Sequence, residues 1–132
     1  MSNRTEQIQP LGQDKFEREF SVQAVLAGFM VQLSPSISCE EPVADKNGEV
    51  KKTKTTPDFL VTNQATNEVM FVDVTRGSGC SPSKFAQKRV VAAAGVENYR
   101  KVTGEILELL MSISEPAGKR AVLLQLFDWF DP

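Results

Sequence analysis

The stretch TPDFLVTNQATNEVMFVDVT, residues 56–75, constrains the fold of this chain more than any other segment. Residues 58–62 read as a short strand opened by Pro57, residues 63–67 are turn-like, and residues 68–75 read as a second strand, so the whole is a β-hairpin. The second run, EVMFVDVT, is apolar on both faces, as a central strand covered on both sides should be. Strand alternation puts Phe71, Asp73 and Thr75 on one face and Met70, Val72 and Val74 on the other. Asp73 is therefore a charge set in an apolar run, costly to bury unless paired, hydrogen-bonded or bound to a cation. Asp58 stands at the mouth of the neighbouring strand, and a hairpin brings the two carboxylates together. Adjacent carboxylates repel, and a divalent cation removes that repulsion. Magnesium suits the pair because it prefers oxygen ligands and often takes only one or two carboxylates from a protein. Taken singly, each residue also has a plainer role: Asp58 follows a proline in a turn, and Asp73 caps the loop after its strand.

Around this hairpin the chain reads as alternating helices and strands. Residues 1–13 form a polar tail with Pro10 and Gly12, and the folded domain is expected over 14–132. Asp14 followed by Glu17 has the form of a capping box. It opens a helix over 15–29 with Phe16, Phe20, Ala24 and Ala27 on one face and Gly28 close to its end. Strands follow near 30–33 and 37–42. Residues 45–56 are turn-rich and charged, with Lys51, Lys52 and Lys54. They read as a solvated hairpin tip or, more sharply, as a flap touching a phosphate backbone. After a glycine-rich connector over 76–81, which lacks the Walker lysine pattern, a helix fits 82–94 with Ser81 as cap, Pro82 at its first position and Gly95 beyond its end. Residues 99–103 read as a strand and 105–113 as a helix. Residues 120–130 are very apolar and leave an edge strand and a terminal helix equally open. Phe127, Trp129 and Phe130 read as core or dimer contacts, and the stretch suggests self-association. The order points to a mixed sheet with helices on its faces, an α/β protein.

Composition narrows the chemistry. At 132 residues the chain has room for one core, and 41% hydrophobic with 24% charged residues is a globular balance. A net charge of −2 gives no global attraction to nucleic acid, so any phosphate binding falls to local basic patches. There is no histidine, which excludes Cys–His and Ser–His–Asp catalysis and histidine-based zinc sites. Cys39 and Cys80 are too few for a four-thiolate site, and no disulfide between them is expected in a reducing compartment. No apolar run approaches the roughly 20 residues that cross a bilayer. The polar N-terminus lacks the apolar centre of a secretory signal, so an intracellular, cytoplasmic location is the default expectation. Carboxylates, lysines and a hard cation remain as tools.

These motifs resemble the PD-(D/E)XK, or restriction-endonuclease-like, nuclease superfamily, which includes restriction enzymes, junction resolvases and transposon-end endonucleases. Pro57-Asp58 matches the Pro-Asp element, and Asp73-Val74-Thr75 matches the Asp/Glu-x-Lys element at its first position only. Phe16 to Phe20, FEREF, resembles the glutamate-bearing first helix, with Glu17 the preferred match and Glu19 the alternative. YRKVTGE, residues 99–105, resembles the later strand and its exit, so the likeness spans roughly 15 to 105. It implies an αβββαβ core and a metal-dependent endonuclease acting on DNA in a mobile-element, viral, repair or restriction role. It further implies Mg2+ or Mn2+ held by Asp58, Asp73 and the Val74 carbonyl, where the metal polarises the scissile phosphate and activates a water.

The departure is at Thr75, which stands where the family carries a lysine. A threonine orients a water but brings no positive charge. Either a lysine reaches in from the next helix, Lys88 or Lys84, which lie one turn apart, or the site works without one. The remaining option is a site that does not cut, in a domain that binds nucleic acid or a partner protein. Lys52, Lys54, Lys84, Lys88, Arg89, Arg100 and Lys101 are candidate phosphate contacts. The resemblance also makes a homodimer, or a partner supplying specificity, an expected way to cut both strands.

Overall fold

Asp14 starts the first helix as expected: its backbone is extended and its side chain accepts the Glu17 N–H at 2.8 Å. Glu17 Oε1 in turn accepts the Gln13 N–H at 3.4 Å, one residue outside the standard reciprocal bond of a capping box. The computed structural model describes residues 8–44, 51–75 and 82–131, and the side chains of these except 82–86. In chain order the elements are α1 (Lys15–Leu26), β1 (Met30–Leu33), β2 (Ile37–Ala44), β3 (Lys51–Thr55), β4 (Phe59–Asn63), β5 (Glu68–Val74), α2 (Pro82–Ala93), β6 (Tyr99–Val102), α3 (Gly104–Ser112) and α4 (Pro116–Phe127). The chain is a mixed α/β protein. Its four-stranded sheet has the order β1-β4-β5-β6, and β2 and β3 form a separate two-stranded sheet.

Helix α1 stops short of the expected residue 29. Gly28, at φ 94°, turns the chain into a Schellman closure in which Gly28 N–H bonds the Val25 carbonyl at 2.9 Å and Phe29 N–H the Ala24 carbonyl at 3.1 Å. The same closure ends α2 at Gly95, as its position in the sequence indicates. β1–β4 and β4–β5 pair antiparallel, whereas β5–β6 pair parallel through the crossover that contains α2. Asn63 makes the β4–β5 turn: its carbonyl accepts Thr66 and Asn67 N–H, its Oδ1 accepts Ala65 N–H, and Asn67 adopts the left-handed region at φ 64°. The terminal stretch resolves as a helix. Pro116 occupies its first turn, Lys119, Leu123 and Phe127 form its buried stripe, and Asp128 closes it at φ 58°. Phe127 and Trp129 enter the core beside Phe29, while Phe130 is exposed.

The core lies between α1, α3 and α4 and the sheet face that carries Phe59, Val61, Met70, Val72 and Val102. Helix α2, with Val90 and Val91 buried, packs instead on the β2–β3 hairpin. The segment read as a tail is tied down where it is described. Leu11 packs on the core and donates its N–H to Ser21 Oγ at 2.9 Å. Residues 1–7, the hairpin tip at 45–50 and the connector 76–81, with Cys80 and the expected Ser81 cap, lie outside the described residues. Among the described residues no helix is long and apolar enough to cross a membrane.

Candidate functional site

The antiparallel register pairs Phe59 with Val72, and continuing it by one residue sets Asp58 opposite Asp73. The backbone then locks the pair crosswise. Asp58 N–H donates to Asp73 Oδ1 at 2.9 Å, and Val74 N–H donates to Asp58 Oδ2 at 2.8 Å. A third donor comes from the neighbouring strand: the Tyr99 hydroxyl donates to Asp73 Oδ2. Asp73 is 8% exposed and Asp58 half-buried. Each carboxylate is thus held in place from the other arm of the hairpin, which fixes both groups in space.

The electrostatics are those of acid facing acid. Burial pushes the Asp58 carboxyl up from 3.8 to about 7; the Val74 amide opposes this, and the charges of Asp73, Glu17 and Asp14 add to it. Glu17 is also raised, chiefly by burial, with Asp14 and Asp73 contributing. Burial and the two aspartates hold the Tyr99 hydroxyl far above its ordinary value, so it stays a donor. Glu17 and Asp58 share the wall of an open cavity of about 490 Å³ with Gly12, Leu33, Ser34 and Thr56. Gly12 sits at φ 115°, and a Cβ there would lie 2.6 Å from Glu17 Cβ; only glycine lets the chain pass this close to the acid.

The residues singled out in the sequence separate into two groups. Glu17, Asp58, Asp73 and Val74 come together. Glu19 does not: it accepts a bond from Gln23 Nε2 and borders a different groove, with Phe16, Leu107 and Met111. Thr75 is buried one residue beyond β5, its N–H bonded to the Val102 carbonyl. Lys88 and Arg89 are exposed on α2, and no hydrogen bond or ion pair links Lys88 to either aspartate among the described residues. The Lys84 side chain lies outside the described ones. Lys52 is half-buried and Lys54 exposed on β3. Arg100 is engaged with the carbonyls of Leu126, Glu97 and Tyr99, so it ties β6 to α4 rather than presenting a free guanidinium.

Sequence reasoning missed Tyr99. It reads simply as the first residue of a strand, and only the parallel β5–β6 register, Phe71 opposite Tyr99 and Asp73 opposite Lys101, brings it to the aspartates.

The oxygen-bearing groups brought together are the carboxylates of Asp58, Asp73 and Glu17, a chemistry that fits a hard divalent cation. Among the described residues no group of three or more His, Cys, Asp or Glu side chains converges as a metal cage. A cation here would accordingly rest on the aspartate pair, the backbone and water, an arrangement Mg2+ accepts. No family model matches the chain, and no curated protein or solved structure is significantly similar to it.

Proposed function

We propose that this chain is a metal-dependent endonuclease that hydrolyses DNA phosphodiester bonds, with Asp58, Asp73 and the Val74 carbonyl as its Mg2+ or Mn2+ ligands. The observation that carries this reading is the crosslocked, mutually repelling pair Asp58–Asp73 on adjacent strands of one hairpin. Two preorganised carboxylates with no cation between them are destabilised by their own charge, and a divalent ion relieves that. The succession α1, β1, β4, β5, α2, β6, with the β2–β3 hairpin inserted after the first strand, supports a restriction-endonuclease-like αβββαβ core.

When bound, the metal supplies Lewis-acid polarisation of the phosphate and a water of lowered pKa. The chain's own residues do the rest. Val74 N–H orients Asp58, and the Asp58 N–H and Tyr99 hydroxyl orient Asp73. Glu17 adds a third acid on the cavity wall. Thr75, two residues beyond Asp73, would orient a water through its hydroxyl. Because α2 packs on the β2–β3 hairpin, Lys52, Lys54, Lys88 and Arg89 belong to one structural unit, which supports a basic wing that grips the phosphate backbone without reading sequence. The threonine in the lysine position favours one alternative, a domain that binds nucleic acid or a partner without cutting.

Nicking of supercoiled plasmid in Mg2+ or Mn2+ separates the two. The expected result is cleavage that falls by at least about 100-fold in Asp58→Ala and Asp73→Ala, with circular dichroism unchanged. Folded wild-type protein that retains DNA binding but nicks nothing with either metal establishes the alternative.

A further inference from the structure

Among the described residues, the hydrogen bonds to the Asp58 and Asp73 carboxylates come from two backbone amides and a phenol, all neutral donors. A phosphoryl transition state gathers negative charge on its equatorial oxygens, and a fixed cation beside them is worth more than any neutral donor. The β5–β6 register shows where such a cation stands. Parallel pairing sets Phe71 against Tyr99, Val72 against Arg100, Asp73 against Lys101 and Val74 against Val102. Residues paired across neighbouring strands leave the sheet on the same face, with the strands about 4.8 Å apart. Tyr99 and Lys101 therefore share the face of Asp73, and Arg100 and Val102 take the other.

Two independent observations agree with that assignment. The Tyr99 hydroxyl reaches Asp73 Oδ2, which fixes the face on which odd-numbered residues of β6 emerge. Arg100 and Val102 go the opposite way: Arg100 Nε bonds the Leu126 carbonyl of α4, and Val102 is fully buried in the core with Val72. Lys101, half-buried, is thus the basic residue in register with the buried aspartate. Lys88, by contrast, is exposed on a helix that packs on the hairpin.

We propose that Lys101 is the cationic catalytic residue of this site, contacting a non-bridging oxygen of the scissile phosphate. The proposal rests on the nuclease reading above. In the step it serves, a water oxygen bonds to phosphorus and the bond from phosphorus to the leaving oxygen breaks. The water's proton passes to solvent, and solvent protonates the leaving oxygen. Lys101 stays protonated throughout and acts as charge and donor only. Tyr99 has a different part, as a positioning residue for Asp73.

The test compares Lys101→Met, which keeps the stem and removes the charge, with Lys101→Arg and the exposed control Lys15→Met, reading plasmid nicking and Mn2+ binding by calorimetry. Lys101→Met is expected to lose about 100-fold in kcat with KM within about threefold. Lys101→Arg should recover roughly a tenth of wild-type kcat, and Lys15→Met, at an exposed lysine outside the site, all of it. Mn2+ affinity in Lys101→Met should hold or tighten, because a neighbouring positive charge has gone, whereas Asp73→Ala loses it. Wild-type-like nicking by Lys101→Met overturns the inference and leaves the nuclease standing. Parallel loss of nicking and Mn2+ binding in Lys101→Met also overturns it, by showing a structural role. A folded wild-type chain that nicks nothing removes the nuclease reading and Lys101 with it.

Discussion

Lys119, buried where α1, α3 and α4 meet, gives its ammonium to Gln23 Oε1 and to the Leu110 carbonyl in the last turn of α3, whereas the buried Asp73 and half-buried Asp58 at the sheet lie beside more acid. The neighbouring Arg120 is equally well matched. It forks onto Asp131, bonds Asn63 Oδ1 and lies 4.5 Å from the centroid of the Phe29 ring. Both regions bury charge next to one core. At the helical junction the buried ammonium is solvated by Gln23 Oε1 and the Leu110 carbonyl, and the part-exposed Arg120 is paired with Asp131. At the hairpin the donors orient the carboxylates without cancelling them, and Asp58 is left with its pKa near neutrality. Charge that serves the fold is compensated within the fold; charge left uncompensated is where a ligand gains the most by binding.

The largest effect that would break this contrast lies at the helical junction. Lys119→Ala removes a buried stem and strands Gln23 Oε1 and the Leu110 carbonyl, and it should cost about 3 kcal/mol, lowering the melting temperature by on the order of 10 °C. Plasmid nicking per folded molecule should be unchanged. A melting curve that does not move would mean that the buried ammonium is not part of what holds the helices together.

Next in size is the pH dependence of the acidic region. Asp58 titrates in the fold near pH 7 and ordinarily at 3.8, so the native state keeps a proton that the unfolded chain releases between those values. Stability therefore falls as pH rises from about 4 to 7 and is flat for this group outside that window. Because Asp58 is only half-buried, screening leaves on the order of 1–2 kcal/mol. Asp58→Asn, measured by urea unfolding from pH 4 to 8, should flatten the slope. Mn2+ should stabilise wild type more at pH 8 than at pH 5, since proton and cation compete for one carboxylate. Asp131 runs the other way: Arg120 holds it below the usual carboxylate range, so its small contribution is lost on acidification.

The smallest expected effect is at the helix entry. Asp14→Ala removes the bond to Glu17 N–H and should cost about 1 kcal/mol. It also withdraws one of the charges that raise Asp58, so the pH slope should become shallower. An unchanged slope would detach the cap from the acidic cluster.

The hairpin, the Asp14–Glu17 cap, the Pro82 start and the Gly95 stop of α2 were legible because each is a local rule: alternation, a side chain reaching three residues, a ring without an N–H, a missing Cβ. The facing of Asp58 and Asp73 was legible for the same reason, since a short turn fixes antiparallel register. The terminal helix was not legible, because residues 120–130 are apolar nearly all round and offer no clean period to distinguish 3.6 from 2. Nor was the packing of α2 on β2–β3, or the arrival of Tyr99 and Lys101 beside Asp73. Both depend on how a long crossover returns, which no neighbouring residue dictates.

That crossover has a consequence for how this sequence is free to change. Between the Schellman closure at Gly95 and the first bond of β6, residues 96–98 measure out the distance that brings an odd-numbered side chain to the aspartate. Asn98 fastens this linker to β5, its Nδ2 donating to the Val69 carbonyl at 3.1 Å, and the number of residues matters as much as the bond. One inserted residue would slide the last strand by a single step, turn Arg100 toward the carboxylates and drive the Lys101 ammonium into the oily side of the sheet. The short linker is a ruler, and drift in its length would be read out directly as a change in the chemistry that β6 presents to the site.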